Sequence, residues 1–564
     1  MLWIDLMLKL SFDLCHKEDL PDVDSASQNL AATFVSAFVN AGLGQDKLMI
    51  VTSDSSSSSG SSSSGSFSNW IFKIKGHGRI SAVASLGMIF LWDVFPGLTQ
   101  IDKYYNYDGH DIHIFAGALL GIGIVNCSVK YECGPAMALL IGYAKRKEAD
   151  ALIKIGAIIG LGIAYAGSRN EKLREQLVDN LCDAKASLDV IVFTIISLGL
   201  IYVGSCDEKV AQDIVSAIML RNLELEEEVP LTLLPLGLGL LYLGKKDSVE
   251  ETKKFSTDFV RKIRKYSDVA LVSCAYAGTG NVLMVQKLMG HVQSGELHQG
   301  FAVLGSAMVA MAEELGVEMQ IRTLERLLQY EDQNTRRAVP LALGLLCISN
   351  PKVDVTHTLS SLSHDSDLEV AMTAIISLGL IGAGTNNARI ADKLRKLSIN
   401  YYENANLLCC VRIAQGLLHL GKGLLTLNPH HSDGSLLSPT ALAGLIIVLH
   451  ACLNMKTFVL GKYHFVLYFL VLAMKPRMLL TVDEELKPLS VPVRVGKAVD
   501  VVGAAGNRPV TITGFHTLST PVLLAGGERA ELATKKYIPL SPFLEDVVIL
   551  KKSPDYKDDK GGLE

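Results

Sequence analysis

A short apolar segment with a glycine near its middle recurs along this chain, and that recurrence limits the folds open to it. It reads "SLGLIYVGS" at 197–205 and "SLGLIGAGT" at 377–385. Aligned on the first glycine of each copy, the same slot holds Gly87, Gly123, Gly162, Gly199, Gly239, Gly344, Gly379 and Gly416, with Ser273 and Ala307 as the two other occupants. Successive slots are separated by 36, 39, 37, 40, 34, 34, 37, 35 and 37 residues. Ten copies at a period near 37 describe a repeat array, which is also how a chain of 564 residues escapes the need for one oversized core.

Each unit has room for two helices of about a dozen residues, each about 18 Å long, with turns between them. After "SLGLIYVG" comes "DEKVAQDIVSAIML" (207–220), where Val210, Ile214, Ala217 and Ile218 follow helical spacing with charges in between. Gly204 suits a helix C-terminus. The pattern predicts helix pairs stacked side by side.

A glycine inside a helix costs about 1 kcal/mol relative to alanine. Repeating that cost at one register requires a compensating tertiary contact. Without a side chain, neighbouring helices can approach closely, and repeat arrays owe their stability largely to such neighbour contacts. Ser273 and Ala307 are the smallest substitutes available. Crowding along one side bends the stack, so the composition of the slot predicts curvature.

Hydrophobic residues make up 49% of the chain and charged residues 20%, with a mean hydropathy of +0.30, which raises the question of a membrane. The two most apolar stretches, "ALAGLIIVLHACL" (441–453) and "HFVLYFLVLAM" (464–474), fall short of the roughly 18–20 residues a spanning helix needs, and lysines bracket them. They read as buried helices. "MLWIDLMLKL" lacks the layout of a signal peptide. A net charge of −5 without a basic stripe argues against nucleic acid as a partner. The ten cysteines include no C-x-x-C pair and lie mostly in apolar runs, reading as reduced, buried thiols.

Several motifs mimic chemistry. "GLLYLGKK" (239–246) and "GLLHLGKG" (416–423) approach a phosphate loop, but Lys246 and Gly423 stand where a magnesium-binding hydroxyl belongs, and bulky helix formers fill the interior. His110 and His113, and His430 with His431, lack companions at ligand spacing and read as loop histidines. Asp483 and Glu484 have no apolar pocket to separate their pKa values. No catalytic residues, metal or cofactor are expected, and the chain reads as a non-enzyme.

The organisation is then a helical segment over 1–48, a Ser/Gly-rich tether over 49–76, repeats over 77–427 and a turn-rich lead into two apolar helices over 428–479. A β-rich domain is expected over 480–552, where alternation as in "VPVRVGKAVDVVG" replaces the helical period, followed by a charged tail over 553–564.

The segments "SLGLIYVGSC", "LGLGLLYLGK", "SLGLIGAGTNNARIA", "SPTALAG" and "GKYHFVLYFLVLAMKPRML" resemble the proteasome/cyclosome-repeat family, the scaffold subunits in the base of the 26S proteasome regulatory particle. The likeness covers about residues 19 to 557. It implies an α-solenoid of about ten helix pairs closed into a toroid around axial helices, with the small β-rich domain following. The implied function is a non-catalytic scaffold in the cytoplasm and nucleus, part of a hetero-oligomeric complex, that contacts the ATPase subunits. Its outer helices would receive ubiquitin, the ubiquitin-like domains of shuttle proteins and a deubiquitinase. The family's ubiquitin-receiving helix matches "QDIVSAIMLRNLELEEE" (212–228), which assigns Asp213 and Glu224 to acidic positions beside Ile214 and Ile218, with Leu220 where an acid is usual. The resemblance also implies a long N-terminal helical region, whereas this chain starts close to the ring. A free-standing solenoid adaptor outside the proteasome is the alternative reading.

Overall fold

A computed structural model of the chain describes residues 25–50, 69–106, 111–131, 133–146, 148–183, 185–221, 233–249, 259, 261–292, 298–329, 332–431, 436–500, 510–524, 528–541 and 544–554. Helices alternate between two concentric rows. The inner row comprises α1 (Ser25–Val39), α3 (Gly78–Ile89), α5 (Ile112–Val125), α7 (Ala151–Ala164), α9 (Leu188–Ile201), α11 (Leu234–Leu241), α12 (Arg261–Ala275), α14 (Gln299–Ala310), α16 (Gln333–Leu346), α18 (Leu368–Ile381) and α20 (Ala405–Leu418). After a short α2 (Asn69–Lys73), the outer row comprises α4 (Val94–Tyr105), α6 (Pro135–Lys145), α8 (Glu171–Cys182), α10 (Glu208–Leu220), α13 (Val282–Val292), α15 (Glu314–Leu327), α17 (Val353–Leu362) and α19 (Ala388–Asn400).

Helix starts follow from capping chemistry. Asp111, Asp150, Ser187, Asp367 and Asn404 each accept a backbone N–H from the first turn of an inner helix, and Asn170, Asp207 and Asn387 do so for outer ones. Inner helices are apolar nearly all round because they are covered all round; every residue of α9 from Val190 to Ile201 is buried. Outer helices keep one buried stripe and one wet face.

Each inner helix packs on the next, from α3 through to α20, and α1 packs against both α3 and α20. The row therefore returns on itself. The slot residues are the contact points. A Cβ built on Gly123 would lie 2.2 Å from Gly160 Cα, one on Gly87 2.5 Å from Gly121 O, and one on Gly199 2.5 Å from Gly237 O. Gly162 would meet Ser197 Oγ at 2.7 Å, Gly344 Ser377 Oγ at 3.1 Å and Gly379 Ala414 Cα at 2.7 Å, while Gly239 faces Ala270 and Cys274. In most copies the facing residue lies two positions before the next slot and is itself small. Where the slot carries Ser273, that facing residue is Gly305, whose Cβ would overlap Ser273 Oγ. The small group has changed sides of the same contact.

A second regularity ties the copies together. Five residues after the slot, the backbone turns left-handed in ten of the eleven inner helices, as at Gly204 (φ +60°) and Ser349 (φ +50°). In those turns an amide reaches the last carbonyls of the following inner helix: Gly167 N to Leu200 O (2.9 Å), Gly204 N to Leu240 O (3.0 Å), Gly278 N to Met308 O (2.8 Å) and Gly384 N to Leu417 O (3.0 Å). These bonds satisfy carbonyls that a helix C-terminus otherwise leaves unpaired. Gly204 therefore ends its own helix and also binds its neighbour.

The segment expected as an N-terminal remnant belongs to this ring. Gly42 N donates to Met88 O (3.0 Å) and Gly44 N to Ile89 O (2.9 Å), the same link made by the other turns. Counting back five places Ala37 in the slot of α1, and a Cβ on Gly416 would lie 3.1 Å from Val35 Cα, two positions before it. The register is preserved across the seam. Residues 1–24, and 51–68 of the expected tether, lie outside the described residues. The end of that tether is ordered: Ile71 and Ile74 are buried, and Trp70 Nε1 donates to Thr33 Oγ1 at 3.1 Å.

Two buried segments stand beside each other against the inner row: α21 (Pro439–Cys452), capped by Ser438, and a ten-residue 3-10 helix, His464–Ala473, in place of the second α-helix expected there. Gly444 lets them touch, since its Cβ would lie 2.4 Å from Phe469 O. The pair is tied to distant arcs of the ring. His464 Nδ1 lies 2.6 Å from Ser81 Oγ, and the Tyr468 hydroxyl lies 2.6 Å from both Ser85 Oγ and Ser81 O. Lys462 pairs with Asp189 at 3.0 Å, Lys456 with Glu369 at 3.1 Å, and the His450 ring packs on Phe301 with centroids 4.7 Å apart.

The strands β1 (Leu425–Leu427) and β2 (Met474–Pro476) pair antiparallel and clamp the end of the repeats to the end of the axial pair. Beyond them the β-rich domain holds two sheets. One has the order β6-β3-β9-β8, from β3 (Met478–Val482), β6 (Val522–Leu523), β8 (Tyr537–Pro539) and β9 (Asp546–Lys552), with β3 and β9 parallel. The other has the order β5-β4-β7, from β4 (Pro492–Asp500), β5 (Val510–Ser519) and β7 (Glu528–Leu532). Leu479, Val493, Val548 and Leu550 centre a separate small core. Of the expected tail, 555–564 lies outside the described residues. No helix among the described residues is long and apolar enough to cross a membrane. The thiol expectation needs one correction: Cys133 and Cys182 are exposed, whereas Cys127, Cys274, Cys347, Cys409, Cys410 and Cys452 are buried.

Candidate docking surface

The family resemblance singles out residues 212–228, which begin in α10, a helix that packs beside α8. In α10, Asp207 accepts from Val210 N at 3.1 Å, which starts the helix and sets its rotation. Val210, Ala211, Ile214, Val215, Ala217 and Ile218 then turn inward. Ile214 and Ile218 are 0% and 1% exposed, so they are core residues and cannot contact a partner. Their assignment as docking residues is corrected by the helical phase: positions 212, 216 and 220 share the wet face, and Leu220, at 74% exposure, is the apolar group there. Spacing of i, i+4, i+8 from Gln212 would have found it.

Asp213 lies at the edge of that face, bound to Arg174 of α8 at 3.0 Å. Arg174 also holds Glu171 at 2.5 Å, and Glu171 accepts from the Tyr202 hydroxyl at 2.9 Å. The Tyr202 hydrogen bond, followed by the Arg174 charge, holds the Glu171 carboxyl below its ordinary range. Arg221, just past α10, donates to Asp183 O at 2.7 Å and anchors the helix end to the preceding repeat. Glu224, with Glu226 to Glu228, lies outside the described residues.

The other singled-out groups have structural roles. Gly239 and Gly416 face the next inner helix, and Gly244 and Gly421 are the left-handed turns, so neither Gly-Lys motif forms a phosphate loop. His113 lies in the first turn of α5 beside Asp111 (3.3 Å), not in a loop, and His110 is outside the described residues. Asp483 accepts turn amides from Glu485 and Lys487, and Glu484 lies 3.8 Å from Lys551. No group of three or more potential metal ligands forms among the described residues.

A ring of helix pairs held by small residues at one register, enclosing an axial pair, defines the class as a proteasome/cyclosome-repeat solenoid; the model of the proteasome/cyclosome repeat matches 156–184 and 373–405. The model described as "26S proteasome non-ATPase regulatory subunit RPN1 C-terminal" matches 502–556. Over 543 residues, 96% of this chain, it is 66% identical to "26S proteasome non-ATPase regulatory subunit 2 homolog B" of Arabidopsis thaliana, covering 60% of that protein. It is 47% identical to "26S proteasome regulatory subunit rpn-1" of Neurospora crassa and 45% identical to "26S proteasome regulatory subunit rpn1" of Schizosaccharomyces pombe, covering 60% and 59% of them. Over nearly its whole length the chain is thus similar to 26S proteasome non-ATPase regulatory subunit 2, and it spans about three fifths of the length of these relatives.

Proposed function

We propose that the chain is a non-catalytic scaffold in the base of the proteasome regulatory particle, working in cytoplasm and nucleus, that holds substrate-delivery factors near the ATPase subunits. The observation that carries this reading is the division of labour between the two rows: the inner row closes a rigid ring, leaving outer faces free to vary. Ubiquitin, ubiquitin-like domains of shuttle proteins and a deubiquitinase are the proposed cargo of those faces. On α8–α10 the contact would be made by Leu220 with Met219 at its side and Asp213 at its edge. An apolar centre beside acids complements an apolar patch rimmed by bases. Glu224 is the further acid that the family resemblance assigns.

Affinity purification from the native source tests the scaffold role. ATPase subunits recovered in stoichiometric amount support it; their absence supports the free-standing adaptor instead. For the surface, titration of the full chain with a ubiquitin-like domain should weaken on Leu220→Asp and on Asp213→Arg, whereas unchanged affinity in both variants removes α8–α10 from the account.

A further inference from the structure

Four outer helices open on a side-chain cap, Asn170 for α8, Asp207 for α10, Asn281 for α13 and Asn387 for α19, so their positions can be compared residue by residue. Four residues after the cap stand Arg174, Ala211, Val285 and Ala391. The three apolar ones are buried or half-buried, as groups on the inward stripe should be. Six residues after the cap stand Gln176, Asp213, Lys287 and Lys393. The repeat therefore requires neither an arginine at the first position nor an acid at the second, and among these four helices the Arg174–Asp213 pair is an addition made once. Its packing role is also duplicated, since Arg221 already ties the far end of α10 to Asp183 O at 2.7 Å.

What the pair changes is charge. The Arg174 guanidinium gives Nε (3.2 Å) and Nη2 (3.0 Å) to one oxygen, Asp213 Oδ2, and Nη1 to Glu171 (2.5 Å). One cation thus serves two carboxylates, and the trio carries one net negative charge instead of two. Arg174 is 15% exposed, against 25% for Asp213 and 52% for Glu171, so the acids are the groups an approaching partner meets. We propose that Arg174 limits the affinity of the α8–α10 surface for basic partners by cancelling part of the negative charge that Asp213 and Glu171 present, an inference that rests on the docking role proposed for that surface. Like unit charges about 6 Å apart weaken an equilibrium by roughly three- to a hundredfold between bulk water and a protein surface, and salt moves the figure toward the lower end. A delivery surface has to release what it binds.

The test titrates the same ubiquitin-like domain against the full chain carrying Arg174→Met, which keeps the apolar stem and removes the charge, or Arg174→Lys, which keeps the charge. Binding should tighten about three- to tenfold in Arg174→Met, with a steeper loss on added salt, and stay within about twofold of the parent in Arg174→Lys. In the Asp213→Asn background the gain from Arg174→Met should shrink, since Glu171 alone is then released. A loosened helix pair would instead weaken binding in both substitutions and lower both melting temperatures, which separates packing from charge. Unchanged or weaker binding by Arg174→Met overturns the proposal alone when Leu220→Asp still weakens binding. Saturable binding by none of these proteins overturns it together with the docking role.

Discussion

The inner and outer rows use the same period and obey different rules. In the inner row, what occupies the slot in one copy can be anticipated from its neighbour: glycine against glycine at 123 and 160, serine against glycine at 273 and 305. In the outer row the equivalent position holds Lys172, Lys209, Leu283 or Leu315 with no such partner rule. The difference shows where each constraint originates. Inner residues answer to the next repeat, whereas outer residues answer to the solvent or to whatever the ring binds.

The comparison breaks most severely if the inner contacts tolerate bulk. Gly123→Leu places a side chain where Gly160 backbone stands, with no flexible group to move aside, and should cost about 3 kcal/mol or more, read as a lowered Tm in circular dichroism. A parental Tm would show that the slot is not a contact.

A smaller effect comes from pH. Burial holds His464 down to about 3 and His450 down to about 4, against 6.5 when unfolded. The folded state therefore binds fewer protons, and stability present above pH 6.5 is lost as pH falls toward 4. At pH 5 each ring should account for about 2 kcal/mol of that loss. His450→Phe should flatten the decline in Tm between pH 7 and pH 5; an unchanged slope would show that other groups dominate.

The Ser273–Gly305 contact sharpens the partner rule. Gly305→Ser alone should cost about 2 kcal/mol, because Ser273 Oγ can rotate aside only by giving up its bond to Val269 O, and Ser273 Cβ would still lie 2.8 Å from the new Cβ. Adding Ser273→Gly should recover most of it, a coupling that independent sites would not show. Smallest is the outer row: Arg174→Ala, removing the half-buried guanidinium that pairs with Glu171 and Asp213, should shift stability by about 1 kcal/mol. A larger loss would place the α8–α10 pair among the ring's structural supports.

Much of this architecture is legible in the sequence. The period fixes helix pairs, and the small residues in the slot give the inner contact, because both are local and repeated. The part played by α1 is harder to read. Its slot residue is Ala37, so only the turn glycines, Gly42 and Gly44, betray the copy. The inter-repeat amide links leave no side-chain signal of their own, since any residue able to turn left-handed serves; Arg169, Cys206 and Ser349 do so as well as glycine. The 3-10 geometry of His464–Ala473 is hidden because an apolar run reads alike in either helix. On α10, the helix that the family resemblance singles out, periodicity would have sorted the faces: Ile214 and Ile218 belong to the buried stripe and Leu220 to the open face.

The seam between α1 and α20 has a consequence for how such a molecule is made. A linear solenoid needs polar caps at both ends, whereas a circular one has no end to protect once complete. The earliest inner helix meets its second neighbour only after about 380 further residues have been added, which at 5–20 residues per second is roughly 20–80 s of synthesis. For that interval the flank of α1 that meets α20 in the finished ring is without that partner, so closure is a late event in the making of the molecule.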